Sequence, residues 1–290
     1  MPFRTDLAAE ACLRLPHLTG AVQKEREVNG FPVTETVIET AEAARAIGKP
    51  TGRYCTLSLG ALMRREEEAF PHACDALSGL IRDLMPAETR SVLVVGLGNR
   101  AITPDAIGPQ TITNVIATRH LTVQEPRWFG DWRPVSAVAP GVLGQTGIET
   151  GEIVRGLVEH IRPDLVIAVD ALAAGRISHL MRTIQCADAG IVPGAGVDNA
   201  RAALNRETLG VPVIAVGVPT VVDGSTIAHE ILRQAGNVQS EALDDLAEPV
   251  LVTGRDIDRE VREVSRVIGY AIDLALHPHL SIPDIELCLD

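Results

Sequence analysis

The sequence predicts an α/β fold, a doubly wound and mostly parallel sheet flanked by helices. Three observations carry that expectation. Residues 92–95 (VLVV), 165–169 (LVIAV) and 211–217 (VPVIAVG) are almost uninterruptedly apolar, as suits strands buried on both faces. Helical patterns separate these runs. Each run also ends in a polar or glycine-containing turn, at the edge where open α/β sheets bind ligands.

The chain has 290 residues and a formal charge of −12, which allows one large α/β domain or two small ones. Apolar residues make up 46% and aromatic residues only 3%, so Val, Ile, Leu and Ala must fill the core. The acidic balance argues against a broad nucleic-acid or anionic-membrane surface. Cys12, Cys55, Cys74, Cys186 and Cys288 are scattered without metal-ligand spacing and read as reduced cytoplasmic thiols. The opening MPFRTDLAAEA lacks the apolar core expected of a signal peptide, and no apolar stretch approaches the length of a membrane helix.

In chain order, residues 1–20 read as a leader or arm, and 30–38 alternate in places like a strand. A short helix at 41–47, a strand at 52–59 and a long helix at 61–84 complete an N-terminal strand-helix layer. The central strand at 92–95 turns at Gly96-Leu97-Gly98-Asn99. A helix follows, with Thr103 as its cap and Pro104 at its first position, which places Asp105 in the first turn. Residues 124–133 hold both tryptophans in an irregular loop, and 135–139 form a strand. A glycine-rich loop at 144–151 carries Glu149 and leads to a helix at 152–161. The strand at 165–169 ends at Asp170. Residues 183–186 are strand-like, 199–209 helical, and the strand at 211–217 leads into Val218-Pro219-Thr220-Val221-Val222-Asp223. Residues 239–248 are an acidic surface excursion, 256–276 a closing amphipathic helix, and Pro278 begins a tail. The domain reading is a short propeptide, 1–6, and one domain, 7–290. That domain divides into the N-terminal layer (7–90), the catalytic sheet core (91–235), and the excursion with the closing helix (236–290).

Asp105 and Asp170 both follow apolar strands, so the sheet's carboxyl edge should gather them. Two close carboxylates cannot both ionise cheaply. One retains a proton, and the pair can then act as base and acid toward a water and a carbonyl. The same acids could instead hold a divalent metal, or merely favour a helix dipole and cap a turn. Glu149 and Asp223 are further acids on strand-following segments, and helix capping is the plain alternative for Glu149. With Asn99 and Thr220 they are the supporting candidates. The GLGN turn invites a dinucleotide reading, but the third glycine is replaced by Ala101 and the helix starts late. His120 and His160 lack paired ligand spacing, and Ser136 lacks the nucleophile-elbow glycines.

Several motifs resemble the germination protease family of spore-forming bacteria. They are Arg4-Thr5-Asp6-Leu7-Ala8, Val95-Gly96-Leu97-Gly98-Asn99, Thr103-Pro104-Asp105-Ala106-Ile107-Gly108-Pro109, Thr118-Arg119-His120, Arg133-Pro134-Val135-Ser136-Ala137, Ala139-Pro140-Gly141-Val142, Thr146-Gly147-Ile148-Glu149-Thr150, Asp170-Ala171-Leu172-Ala173-Ala174 and Gly217-Val218-Pro219-Thr220-Val221-Val222-Asp223. The resemblance implies an endopeptidase that cuts small acid-soluble spore proteins during germination, with a fold similar to the hydrogenase maturation proteases. It also implies a homotetrameric zymogen in the spore core or forespore cytoplasm. It assigns catalysis to Asp105 and Asp170, and self-processing to the bond between Asp6 and Leu7. No cofactor, metal, membrane or direct nucleic-acid partner is implied. The stretch before Arg4 is unusually short, and residues 239–248 match no motif of the family. The terminal arm is expected to be mobile enough to extend into a cleft. The alternatives are a metal-dependent hydrolase using the same acids and a non-enzymatic Rossmann-like nucleotide-binding protein.

Overall fold

The computed structural model describes residues 5–15, 18–194, 201–234 and 250–290. The acidic segment at 239–248 and Arg4 lie outside them. Nine strands form one sheet: β1 (Ala21–Val28), β2 (Phe31–Ile38), β3 (Gly52–Ser58), β4 (Val92–Gly96), β5 (Val135–Val138), β6 (Leu165–Ala174), β7 (Thr183–Ala187), β8 (Val213–Asp223) and β9 (Leu251–Val252). Their order is β1-β2-β3-β7-β8-β6-β4-β5, with β9 paired to β8.

The expected parallel core is the run β8-β6-β4-β5. An antiparallel arm, β1-β2-β3-β7, extends it through an antiparallel β7–β8 pair. This is an α/β architecture with helices on both faces of the parallel part. Alternation of side chains along each strand divides the core. Val92, Val94, Ile167, Val169, Ile214 and Val216 face helices Ala69–Leu84 and Ile257–Leu276. Leu93, Val95, Val166, Ala168 and Val213 face the opposite side, where Val154 and Val158 of helix Thr150–Ile161 pack.

The tertiary structure corrects several boundaries. The long N-terminal helix is two, Gly60–Met63 and Ala69–Leu84, because Arg65 and Glu68 adopt positive φ between them. Thr103 does not cap a helix. Its hydroxyl donates to Asp258 Oδ1 at 2.7 Å, and Thr103–Asp105 is a 3-10 turn preceding helix Ile107–Ile112. Of 199–209, only Arg206–Leu209 is helical among the described residues. The supposed tail contains helix Ile282–Leu289, closed by a Ser281–Asp284 capping box. The leader contains helix Ala8–Leu13.

Two boundary changes matter for function. β6 does not stop before Asp170 but runs through it to Ala174. β8 likewise carries Thr220 and Asp223 inside the strand. These extensions raise a wall at the carboxyl edge of the sheet.

Candidate active site

Gly96 and Gly108 let the end of β4 and helix Ile107–Ile112 touch backbone to backbone. A Cβ on Gly96 would lie 2.2 Å from the Gly108 carbonyl oxygen. Gly98 follows at φ +107°, and a Cβ there would lie 2.1 Å from the Asp105 carbonyl oxygen and 2.9 Å from Asp105 Oδ1. The glycines of this turn therefore make room for the chain's own Asp105, whereas a nucleotide fingerprint needs its glycines for the approach of a phosphate. That geometry removes the support the turn lent to a nucleotide-binding reading.

Asp105 closes the 3-10 turn, and its Oδ2 accepts the Asn99 N–H at 2.7 Å. Asn99 thus acts through its backbone, while its Oδ1 accepts from Ala101 N–H and Gln145 Nε2. Asp170 is 5% exposed, and its Oδ1 accepts the Ala171 N–H at 2.9 Å. Both acids line a cavity of about 450 Å³ with Asp6, Glu149, Thr220 and Arg201. Burial pushes the Asp170 carboxyl well above the ordinary aspartate range, and the charges of Asp105 and then Asp6 push the same way. Burial also raises Asp105, opposed by its bond from Asn99. Asp170, the deeper of the two, is the group favoured to hold the proton.

The supporting candidates separate. Glu149 lines the cavity but does not cap helix Thr150–Ile161 with its side chain; it pairs with Arg201 at 3.2 Å. Thr220 lines the cavity, and its buried hydroxyl has no hydrogen-bond partner among the described residues. Asp223 is outside the cavity lining, and its Oδ1 accepts from Ser225 at the start of helix Gly224–Gln234. Among the described residues, no group of three or more His, Cys, Asp or Glu is arranged to hold a metal.

The segment expected to be processed is not the free arm the sequence suggests. Leu7 and Ala8 have no exposed surface, and Asp6 lies against β6. The Asp6 N–H donates to the Ala173 carbonyl at 2.8 Å, and the Ala173 N–H donates back to Asp6 Oδ2 at 2.9 Å. Lys49 Nζ is 3.3 Å from Asp6 Oδ1. Next along the chain, the buried Glu10 bonds His179 Nδ1 at 2.5 Å and the Gly175 N–H at 2.7 Å. Sequence reasoning did not single out Lys49, Ala173, Glu10 or Gln185. Their only local signal is the DALAA motif that contains Ala173.

Fold and cavity together define an α/β protein with paired acids in a cleft at the carboxyl edge of its parallel strands. A family profile described as "Germination protease" matches residues 10–235. Germination proteases of Caldanaerobacter subterraneus subsp. tengcongensis and Clostridium perfringens are 39% and 40% identical to the chain. Each alignment covers 99% of this chain, and 98% and 99% of the relative respectively. The Bacillus subtilis germination protease is 43% identical over 79% of this chain and 65% of its own length. This chain belongs to the germination protease family and is an endopeptidase of spore germination. A hydrogenase maturation protease from Thermococcus kodakarensis KOD1 aligns structurally over 67% of this chain and 99% of its own, with TM-score 0.37 and 16% identity. No described helix is long and apolar enough to cross a membrane.

Proposed function

We propose that the chain initiates degradation of small acid-soluble spore proteins in the spore core, with Asp105 and Asp170 sharing one proton about the attacked peptide bond. The supporting observation is their placement in one cavity, with Asp170 buried and raised by the charge of Asp105. Asp105 takes a proton from water as its oxygen adds to the carbonyl carbon, while the protonated Asp170 donates to the carbonyl oxygen. The adduct then collapses. The C–N bond breaks, a proton passes to the leaving amine, and a carboxylic acid and an amine result. Glu149 and Thr220 line the space around this pair, and Asn99 fixes Asp105.

The chain is made as a self-processing zymogen cut between Asp6 and Leu7, and it assembles as a homotetramer. It is one peptidase domain from residue 7 onward, needing no cofactor and no metal. Light scattering that shows a monomer at working concentration would refute the assembly. The decisive experiment is incubation of the purified protein with a small acid-soluble spore protein, with and without chelator. Cleavage indifferent to chelator and lost in Asp105→Asn and Asp170→Asn is expected. Cleavage abolished by chelator would transfer the reaction to a metal held by the same acids.

A further inference from the structure

Alternate residues of a strand present both backbone groups to the same edge. On the β4-facing edge of β6 these are Val169, Ala171 and Ala173. The Val169 carbonyl accepts the Leu97 N–H at 2.8 Å, and there β4 leaves the strand. Ala171 turns its N–H to its own neighbour Asp170, and Ala173 makes a reciprocal pair with Asp6. Asp6 therefore binds the free edge of this strand through one main-chain bond, and its side-chain carboxylate takes the Ala173 N–H that the main chain of an added strand would take.

The opposite side of Asp6 is held as specifically. Gln185 of β7 donates its Nε2 to the Asp6 carbonyl at 3.2 Å and accepts the Ala8 N–H on Oε1 at 2.8 Å. That carbonyl belongs to the Asp6–Leu7 peptide bond. Gln185 is opposite Gly217 in the ladder, and Gly217 is opposite Asp170. Residues in register share a sheet face, so Asp170 and Gln185 flank Gly217, their Cα atoms about 10 Å apart, and the Leu172 side chain packs over that glycine. Gly217 and Gln185 line a second cavity of about 200 Å³, and Asp6 lines both cavities.

We propose that Asp6–Leu7 occupies the cradle that receives peptide substrates, in which Gln185 binds the carbonyl of the bond to be cut and Lys49, with the Ala173 N–H, selects an acidic side chain in front of it. This rests on the reading that Asp105 and Asp170 cut after Asp6. The Gln185 amide is placed to strengthen its bond as the carbonyl oxygen gains charge, the role of an oxyanion donor. Lys49 and the Asp6 side chain are 18% and 12% exposed, so their pairing is shielded enough to discriminate charge.

The test follows single-turnover conversion of the full-length chain to the form beginning at Leu7, by mass spectrometry. Gln185→Met should slow conversion about 100-fold with little change in melting temperature. Normal conversion in that folded variant would overturn the carbonyl role. If it fails to fold, Gln185→Asn, with its amide one carbon shorter, should show a clear slowing, and an unchanged rate would overturn the role equally. Lys49→Glu should slow conversion about tenfold or more. In Asp6→Asn, which keeps an acceptor for the Ala173 N–H but carries no charge, Lys49→Glu should make little further difference, and an equal slowing in that background counts against Lys49.

A second arm separates the cradle from the reaction it rests on. Full-length Asp6→Ala, whose acid position is vacated, is given a fluorogenic peptide with the sequence of residues 4–9 or its Asp-to-Lys counterpart. A Lys49-dependent preference for the acidic peptide supports the cradle even if the wild type never processes itself. A preference unaffected by Lys49→Glu overturns it even if both catalytic aspartates prove essential.

Discussion

Asp170 and Asp273 are both buried carboxylates pushed well above the ordinary aspartate range, yet they sit in different chemistry. Asp273, on helix Ile257–Leu276, is completely buried. Its two oxygens accept the Ile116 N–H at 3.1 and 3.2 Å. Burial is the leading cause of its shift, no neighbouring carboxylate contributes, and it lines neither cavity described above. Asp170 adds to burial the charges of two further acids and a cavity they share. A raised carboxyl is therefore not enough to mark an active site, because structural burial produces one as readily. Asp170 differs in the cavity it lines and in the second acid beside it.

The largest effect expected is on turnover. Asp170→Asn and Asp105→Asn should each lower kcat by roughly 10²–10⁴-fold while leaving a cooperative melting transition, whereas Asp273→Asn should stay within a few-fold of wild type. Near-normal turnover in either folded cavity variant, measured on a spore-protein substrate, would erase the contrast.

The next effect is also confined to the cavity. Gly98→Ala places a Cβ on the Asp105 backbone at a φ that L-residues rarely adopt. It should cost at least about 1–3 kcal/mol of stability and most of the activity. Denaturant titration showing wild-type stability would mean that the turn relaxes and Asp105 is held by something else.

A third prediction concerns pH. Both raised acids favour the protonated folded state, so their stabilising contribution is greatest below the unfolded aspartate range. It is lost as pH rises through the raised folded pKa. Asp170→Asn and Asp273→Asn should each gain melting temperature relative to wild type as pH rises from 4 to 8. Only Asp170→Asn should also lose activity. His277 acts with the opposite sign. Burial, then His279 and Arg133, lower it to about 4. Its contribution is present above the unfolded histidine value near 6.5 and is lost as pH falls toward 4. Relative to wild type, His277→Phe should therefore gain melting temperature as pH falls from 7 to 4, and a difference between the two that does not change with pH would remove this assignment.

The smallest effect concerns the charge of Asp6. Removing it, by Asp6→Asn or by processing, takes a negative charge from beside Asp170 and should lower the alkaline limb of the activity profile. Self-conversion should accelerate at mildly acidic pH, which supplies the shared proton, and should stop in Asp105→Asn. An N-terminus unchanged through prolonged acid incubation of active enzyme would defeat the self-processing claim.

Much of the sheet core was legible because burial on both faces leaves a local signature, the unbroken runs at Val92 and Leu165. Asp170 was legible for a related reason, since it directly follows such a run, and Asp105 because the turn after the first run leads straight into the segment that carries it. The extension of β6 past Asp170 was not, because Asp170-Ala171-Leu172-Ala173-Ala174 interrupts the apolar pattern with an acid and small residues. Strand β1, AVQKEREV, was missed because it is largely exposed and polar.

By itself, then, the sequence determined the α/β class, the family through its ordered motifs, and the placement of Asp105 and Asp170 at the sheet's carboxyl edge, all of which depend on patterns within a few tens of residues. Only the tertiary structure decided that Asp223 serves a helix start while Thr220 lines the cavity, and that Asp6 is clamped instead of free. Gln185 shows the physical reason. Its bond to the Ala8 N–H joins residues 177 apart in the chain. It exists because β7 enters antiparallel beside β8 and places Gln185 in register with Gly217 and Asp170. Strand neighbours and register are set by which faces can be buried together, and no local pattern records them.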